Sequence, residues 1–319
     1  MNKWFNQIVK TTIAASTLGM ATVGMAESVD AQINTSVVNE AWGKPTFVYG
    51  GGLSEAQISE TADLFGIDDR ANVEEMPATG EDLQTYLGYG SGSTSSMISS
   101  VLVQREGEGE GVEVMVETPE NITKITEEQY MNAAITAGVE DATIMVGSIW
   151  PVTGESALTG VYKAFDANGE TLEKERMEVA QQELETTSDI SEELDEEQSV
   201  QLDQAMVDIK RELAELKEQV GELATREDIE RIINEALEKN SLQNIVSQEQ
   251  VNQLVILFEN YQQTSAIDSQ AVKAQLENLA GDLQDRLGAA WQSAEESGLT
   301  DRIAQFFSEL WQTLVGLFN

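Results

Sequence analysis

Neither cysteine nor histidine occurs among the 319 residues. Without histidine, no Ser-His-Asp or Cys-His nucleophile can be assembled, and no imidazole-ligated transition metal can be held. Without cysteine there is no disulfide, so an apolar core must hold the fold; the length is ample for one or two domains. No Walker A, GxSxG or SxxK pattern is present. The chemistry left open is that of carboxylate pairs, Ser-Lys arrangements and oxygen-ligated Ca2+ or Mg2+.

Cations are scarce as well. Eighteen Lys and Arg stand against 57 Asp and Glu, a net charge of −39. Nucleic-acid binding rests on clustered Lys and Arg, so no nucleic-acid partner is expected. Solubility and loose association with divalent cations are the natural consequences of such a charge.

Met1–Ala26 reads as an export signal. Lys3 and Lys10 lie in its first part, Thr11–Met25 is apolar or small, and Gly24 and Ala26 form a small-x-small cleavage site. Its hydrophobicity is too weak for a membrane span, which takes about 20 strongly apolar residues. The expected product is secreted or cell-surface associated and starts near Glu27. Cleavage takes two cations and no acid, leaving 16 cations against 57 acids.

Composition then changes near Asn168. Residues 27–167 hold 24 acids, 5 cations, most of the glycine and all four prolines; residues 168–319 hold 33 acids, 11 cations and no proline. The expected fold is α+β: an N-terminal mixed α/β domain over 27–167, then an all-helical, partly coiled-coil region. Strands are expected at Thr46–Tyr49, Asn72–Met76 (stopped by Pro77), Met97–Gln104, Val112–Thr118, Ala142–Ile149 and Leu158–Phe165. Helices are expected after Ser54, over Glu81–Leu87, and from Thr126, whose capping box with Gln129 opens a helix that Gly138 ends. In Val112–Thr118, Val112, Val114 and Val116 alternate with Glu113, Met115 and Glu117, the period of a half-buried strand.

In the second half, residues 168–200 read as an acidic linker or frayed helix, since Glu170–Glu197 carries twelve acids against Lys174 and Arg176. Residues 201–295 read as a helical bundle or coiled coil. Leu202, Met206, Ile209, Leu213, Leu216, Val220 and Leu223 follow a heptad, with Glu212 and Lys217 at g and e. That pattern suits either self-association or one helix of an intramolecular bundle. Thr225 and Ser247 cap two further helices, and Val272, Leu276, Leu279, Leu283 and Leu287 mark another. Residues 296–319 read as an amphipathic C-terminal helix. Ile303, Phe306, Phe307, Leu310, Trp311, Leu314 and Phe318 form its apolar face, a candidate contact with the bundle, a partner protein or a membrane surface.

Two local motifs are candidate ligand sites. Glu106, Glu108 and Glu110 alternate with glycine and are weak candidate Ca2+ ligands, the one cofactor the sequence suggests; a solvated hairpin turn is the favoured reading. Thr153, Ser156 and Thr159 lie in a polar turn before an expected strand and are candidates for presenting hydroxyls to a ligand; close packing of small residues is the other reading. A carboxylate pair serving a cell-wall-directed hydrolase stays open, since 57 acids offer no way to nominate two.

Five blocks occur in order: Gly88-Tyr-Gly-Ser-Gly-Ser-Thr-Ser-Ser-Met-Ile-Ser-Ser100, the Gly-Glu-Gly-Val stretch at 109–112, Asn121–Thr126, Tyr130–Val139 and Val152–Ala164. Together, over about 40–260, they resemble the YpuA-like family of predicted secreted proteins of Gram-positive bacteria, a family described as a domain of unknown function. The resemblance implies export and a bacterial envelope setting, and it implies no activity, cofactor or catalytic residue. The resulting expectation is a non-catalytic envelope protein that interacts with an envelope partner or with itself through its helices. A divalent-cation-responsive surface module is the further alternative.

The export reading makes a direct prediction. Mass spectrometry of the protein recovered outside the membrane should show a chain beginning near Glu27; an intact Met1 in that fraction refutes cleavage.

Overall fold

The computed structural model describes residues 33–36, 40–88 and 92–296, with side chains described up to 288. Nine elements build the first half: β1 (Thr46–Gly50), α1 (Glu55–Leu64), β2 (Glu74–Ala78), α2 (Gly80–Leu87), β3 (Ser100–Arg105), β4 (Val112–Val116), α3 (Glu127–Ala137), β5 (Ala142–Gly147) and α4 (Ala157–Ala167). Five helices follow: α5 (Lys174–Ser191), α6 (Glu196–Val220), α7 (Arg226–Lys239), α8 (Gln248–Tyr261) and α9 (Gln270–Glu296). The architecture is α+β, a mixed five-stranded sheet with helices followed by an all-helical region.

The strands run in the order β2-β1-β3-β5-β4. β3 is antiparallel to both neighbours, while the outer pairs β1/β2 and β5/β4 are parallel. The period of two sorts their side chains. Phe47, Leu102 and Met145 meet Ile58, Ala62 and Phe65 on and beside α1, and Val48, Val101, Ile144 and Val146 join the cluster formed with α3 and α4.

Local chemistry sets most element ends. Capping boxes open α1 at Ser54, α2 at Thr79, α3 at Thr126, α6 at Asp195, α7 at Thr225 and α8 at Ser247. Gly138 closes α3 with φ +95°, in the left-handed region that glycine occupies without strain.

Three expectations differ from the structure. Residues 158–165 form helix α4 instead of a strand. Leu158, Val161, Tyr162 and Phe165 hold helical spacing, but the run is buried on nearly every side, so the apolar periodicity is blurred. Pro77 lies inside β2 instead of ending it, which an edge strand permits because its free side needs no donor. The acidic stretch 168–200 carries the regular helix α5, with Met177, Val179, Ala180, Leu184 and Ile190 buried, where a linker or frayed helix was expected. Its apolar residues recur often enough to bury one side while most of the acids stay outside. Since α5 packs on α3, and Ile135 of α3 belongs to the helical cluster, the compositional change at 168 marks a change of secondary structure within continuous packing.

The heptad of α6 is used within the chain. Leu202, Met206, Ile209 and Leu213 are buried among α7, α8 and α9, whereas Val220 is 60% and Leu223 37% exposed. The expected C-terminal aromatic face and the expected export signal lie outside the described residues. No helix among the described residues is long and apolar enough to cross a membrane.

Truncation should follow this gradient. Ile209→Ala is expected to cost ~2–5 kcal/mol of unfolding free energy, and Val220→Ala to stay within about 0.5 kcal/mol. Urea titration of both variants checks it, and equal losses would contradict the burial gradient.

Candidate functional site

Helix α6 places two charged residues, Asp203 and Lys210, seven positions apart, so both stand on the side that carries its apolar stripe. That side faces α3 and α5, and the consequence is an ionic cluster closed to water. Lys210 is 0% exposed, and Glu183 of α5 and Asp203 are each 1% exposed. Lys210 Nζ is paired with Glu183 Oε1 and donates to the Asn132 carbonyl and to Asn132 Oδ1, both at 3.2 Å. Thr136 Oγ1 donates to Glu183 Oε2 at 2.7 Å. The Lys210 ammonium also lies 5.9 Å from the centroid of the Tyr261 ring on α8. Burial pulls Lys210 below its ordinary value, and the Glu183 charge opposes that pull.

Asp203 is different: neither carboxyl oxygen has a hydrogen-bond partner. Burial, reinforced by the Glu183 charge and opposed by Lys210, pushes its carboxyl well above the ordinary value. The neutral acid is therefore the form this place favours. Arg176 of α5 completes the seam. Its Nε donates to the Thr136 carbonyl at 2.8 Å and its terminal nitrogen to the Ile135 carbonyl at 3.1 Å, so a cation closes the C-terminal end of α3.

Two cavities adjoin at the opposite, N-terminal end of α3. One, of about 420 Å3, reaches from Ile122 and Lys124 to Val200 and Asp203 of α6. The other, of about 350 Å3, lies between β4 and α9, over Met131 and Ile135 of α3. They share Glu127, Glu128 and Arg286, and each falls in the size range of ligand pockets, roughly 300–1,000 Å3. Glu127 Oε1 accepts the Val116 N–H at 2.7 Å, and Glu128 pairs with Arg286. Glu113 of β4 is raised by burial and by the charges of Glu106, Glu127 and Asp282. A further space of about 330 Å3 between α6 and α7 is lined mostly by charged side chains, among them the surface pair Lys239–Asp208.

Of the described residues singled out from sequence as candidate ligands, only Glu110 lines one of these two cavities, the one between β4 and α9. Glu106 Oε1 accepts from Gln104 Nε2 and Thr143 Oγ1, both at 2.8 Å, while Glu108 and Glu110 are exposed. Asp141 organises that loop instead, its Oδ1 accepting the N–H groups of Gly109 at 3.0 Å and Gly111 at 2.8 Å. Among the described residues no three Asp, Glu, His or Cys side chains are grouped to hold a metal ion. Thr153 Oγ1 bonds to Glu155 Oε2 at 3.4 Å and Ser156 Oγ to Ser99 Oγ at 2.7 Å; Thr159 Oγ1 is buried inside α4 without a partner. The three hydroxyls thus turn to three different surroundings, and the turn leads into a helix. Ile303, Phe306, Phe307, Leu310, Trp311, Leu314 and Phe318 lie outside the described residues.

Asn132, Glu183, Asp203, Lys210 and Gln275 were not singled out from sequence. The available signal was the pair Asp203 and Lys210, two opposite charges one heptad apart beside an unbroken apolar stripe.

A family model described as "Protein of unknown function (DUF1002)" matches residues 49–279. The chain is 31% identical over 290 residues to "Uncharacterized protein YpuA" of Bacillus subtilis (strain 168), covering 89% of this chain and 93% of that protein. No solved structure matches.

The unpartnered acid fixes the sign of a pH effect. Its folded value lies above the unfolded one, so its stabilisation is complete below the ordinary value of 3.8 and is lost as pH rises through the folded value. Asp203→Asn should remove that loss and unfold with about 1–3 kcal/mol more free energy than the parent at pH 8, the two converging near pH 4. Urea titrations at both pH values test this, and a variant no more stable at pH 8 refutes it.

Proposed function

The chain belongs to the DUF1002 family, proteins of unknown function, and on that premise we propose that it is an exported, non-catalytic cell-envelope protein that works by holding a partner. The observation that carries this reading is the pair of adjoining cavities where the sheet meets the helices. They are lined by peptide edge, carboxylates and apolar side chains. Two of those carboxylates already have structural tasks, Glu127 on a strand amide and Glu128 on Arg286. Such a lining suits recognition. The export-like first 26 residues support the envelope setting, and the apolar periodicity of the sequence at 303–318 is in keeping with a second contact with protein or lipid.

A carboxylate-dependent hydrolase is the second reading, and Asp203 is what favours it. An acid held neutral near ionised carboxylates is the pattern of glycoside hydrolysis. Both of its oxygens are sealed from solvent, however, so a sugar has no direct approach to them. A divalent-cation-responsive module has less support, since the glutamates of the 106–110 loop do not gather.

Crosslinking pull-down from intact producing cells tests the proposal, comparing the full chain with one lacking 299–319. A specific envelope partner captured by the full chain and reduced on truncation is expected. No partner in either sample moves weight to the hydrolase.

A further inference from the structure

The parallel ladder between β4 and β5 leaves one side of β4 open. Ala142 N–H donates to the Gly111 carbonyl and Glu117 N–H to the Val146 carbonyl, both at 2.8 Å. In a parallel ladder these bonds alternate along the strand. The peptide groups of Glu113 and Met115 therefore face β5, and those of Val112, Val114 and Val116 face the groove beside α9. The Val116 N–H is taken by Glu127; among the described residues Val112 and Val114 donate to nothing. The edge of the sheet thus ends at a cavity.

The cavity is short of donors. Glu110, Glu113, Glu127, Glu128 and Asp282 contribute carboxylates, and Arg286, its only cation, is already paired with Glu128. Gln275 of α9 points to a ligand independently. It lines the cavity and is 8% exposed; its Nε2 donates to the Val139 carbonyl at 3.2 Å, while its buried Oε1 has no partner. A buried amide oxygen left unbonded is costly, and a donor-bearing ligand that turns this side chain toward the cavity relieves it. The floor is apolar, formed by Met131, Ile135 and Leu279.

We propose, building on the partner-binding reading above, that the groove between β4 and α9 takes an extended peptide bearing Lys or Arg, which adds a sixth strand at the free edge of β4. The main chain of such a peptide matches the open N–H and C=O groups of Val112 and Val114. Its side chains alternate. Apolar ones fall on the side of Val112 and Val114, and cationic ones on the side of Glu113. The peptide belongs to another molecule: outside the described residues this chain has only three cations, Lys3, Lys10 and Arg302, and two of them lie in the export segment. A small polyamine satisfies the carboxylates but not the strand edge.

The test titrates the full mature chain into a fluorescein-labelled octapeptide of alternating valine and lysine, read by anisotropy. Parallel titrations use the same peptide N-methylated at alternate bonds, and spermine as competitor. Saturable binding is expected, weakened at least tenfold by N-methylation and by Glu113→Gln with Asp282→Asn, and unchanged by Glu74→Gln at the opposite sheet edge. The amides of Val112 and Val114 should gain hydrogen-exchange protection. Matching thermal unfolding of the variants ensures that a loss reflects the site. Equal binding of the N-methylated peptide, or spermine displacing the peptide at equal concentration, reduces the effect to charge attraction and overturns the proposal. No saturable binding overturns it too; if the pull-down still captures an envelope partner, only the ligand class falls and the partner-binding reading stands.

Discussion

The pairing of Lys210 with Glu183 is the constraint on which the helical half depends. Lys210 comes from α6, Glu183 from α5, and the carbonyl, amide and hydroxyl that complete the site from Asn132 and Thr136 of α3. Removing one member of such a pair leaves a charge without water or partner, a loss of ~3–5 kcal/mol. Apolar packing alone tolerates small slides between helices, because volume matters more there than direction. A lysine that must meet three acceptors does not. With α6 fixed on α3, α9 packs along α6, and the side of α9 bearing Gln275, Leu279 and Asp282 comes to stand opposite β4. The groove is therefore a consequence of the buried pair, although none of the pair's atoms lies in it.

Charge scarcity shapes the rest. Several of the few cations are spent as internal ties. Lys124, just before α3, binds Glu155 and Asp189; burial works against its charge, but those two hydrogen bonds prevail and raise its value. Arg105 joins the Glu140 and Asp141 carbonyls to Glu170, and Lys163 meets Asp82. Exposed pairs such as Arg226–Glu259 add little, roughly 0–1 kcal/mol each. Cations placed inside the fold cannot neutralise the outside, so the surface keeps nearly the whole excess of acid. Electrostatic steering then favours cationic partners over anionic ones.

Much of the fold was legible because its signals are local. Ser54, Thr126, Thr225 and Ser247 announce their helices through a residue three positions on, and the Val112–Val116 alternation identifies β4 from five residues. The α4 error has the opposite origin: a helix buried on almost all sides loses the polar face that reveals its period. Both the seam and the groove escaped for a further reason. Asn132, Glu183 and Lys210 are 51 or more positions from Gln275 or from one another in all but one pairing, and no spacing rule connects them. The choice of Glu106, Glu108 and Glu110 followed density of carboxylates, whereas a ligand site depends on convergence. Asp141, a single acid in a left-handed turn, organises that loop.

The two sheet edges are treated differently, and the contrast carries the functional argument furthest. At β2 the edge holds Pro77, which offers no donor, and the pairs Lys44–Glu74 and Arg70–Glu75 stand beside it. Those are the ordinary means by which a protein keeps another strand from adding. At β4 the three residues facing outward are valines, and no proline interrupts them. Only Glu127 intervenes, at one amide. Helix α9 shields this edge from indiscriminate pairing while leaving a lined space between. Crowding Glu113, Glu127 and Asp282 there costs stability, since each charge disfavours the others. A neutral lining would cover the edge at lower cost. The acids make sense where something positively charged comes to that edge, and the protected β2 edge shows that the same sheet has the other solution at hand.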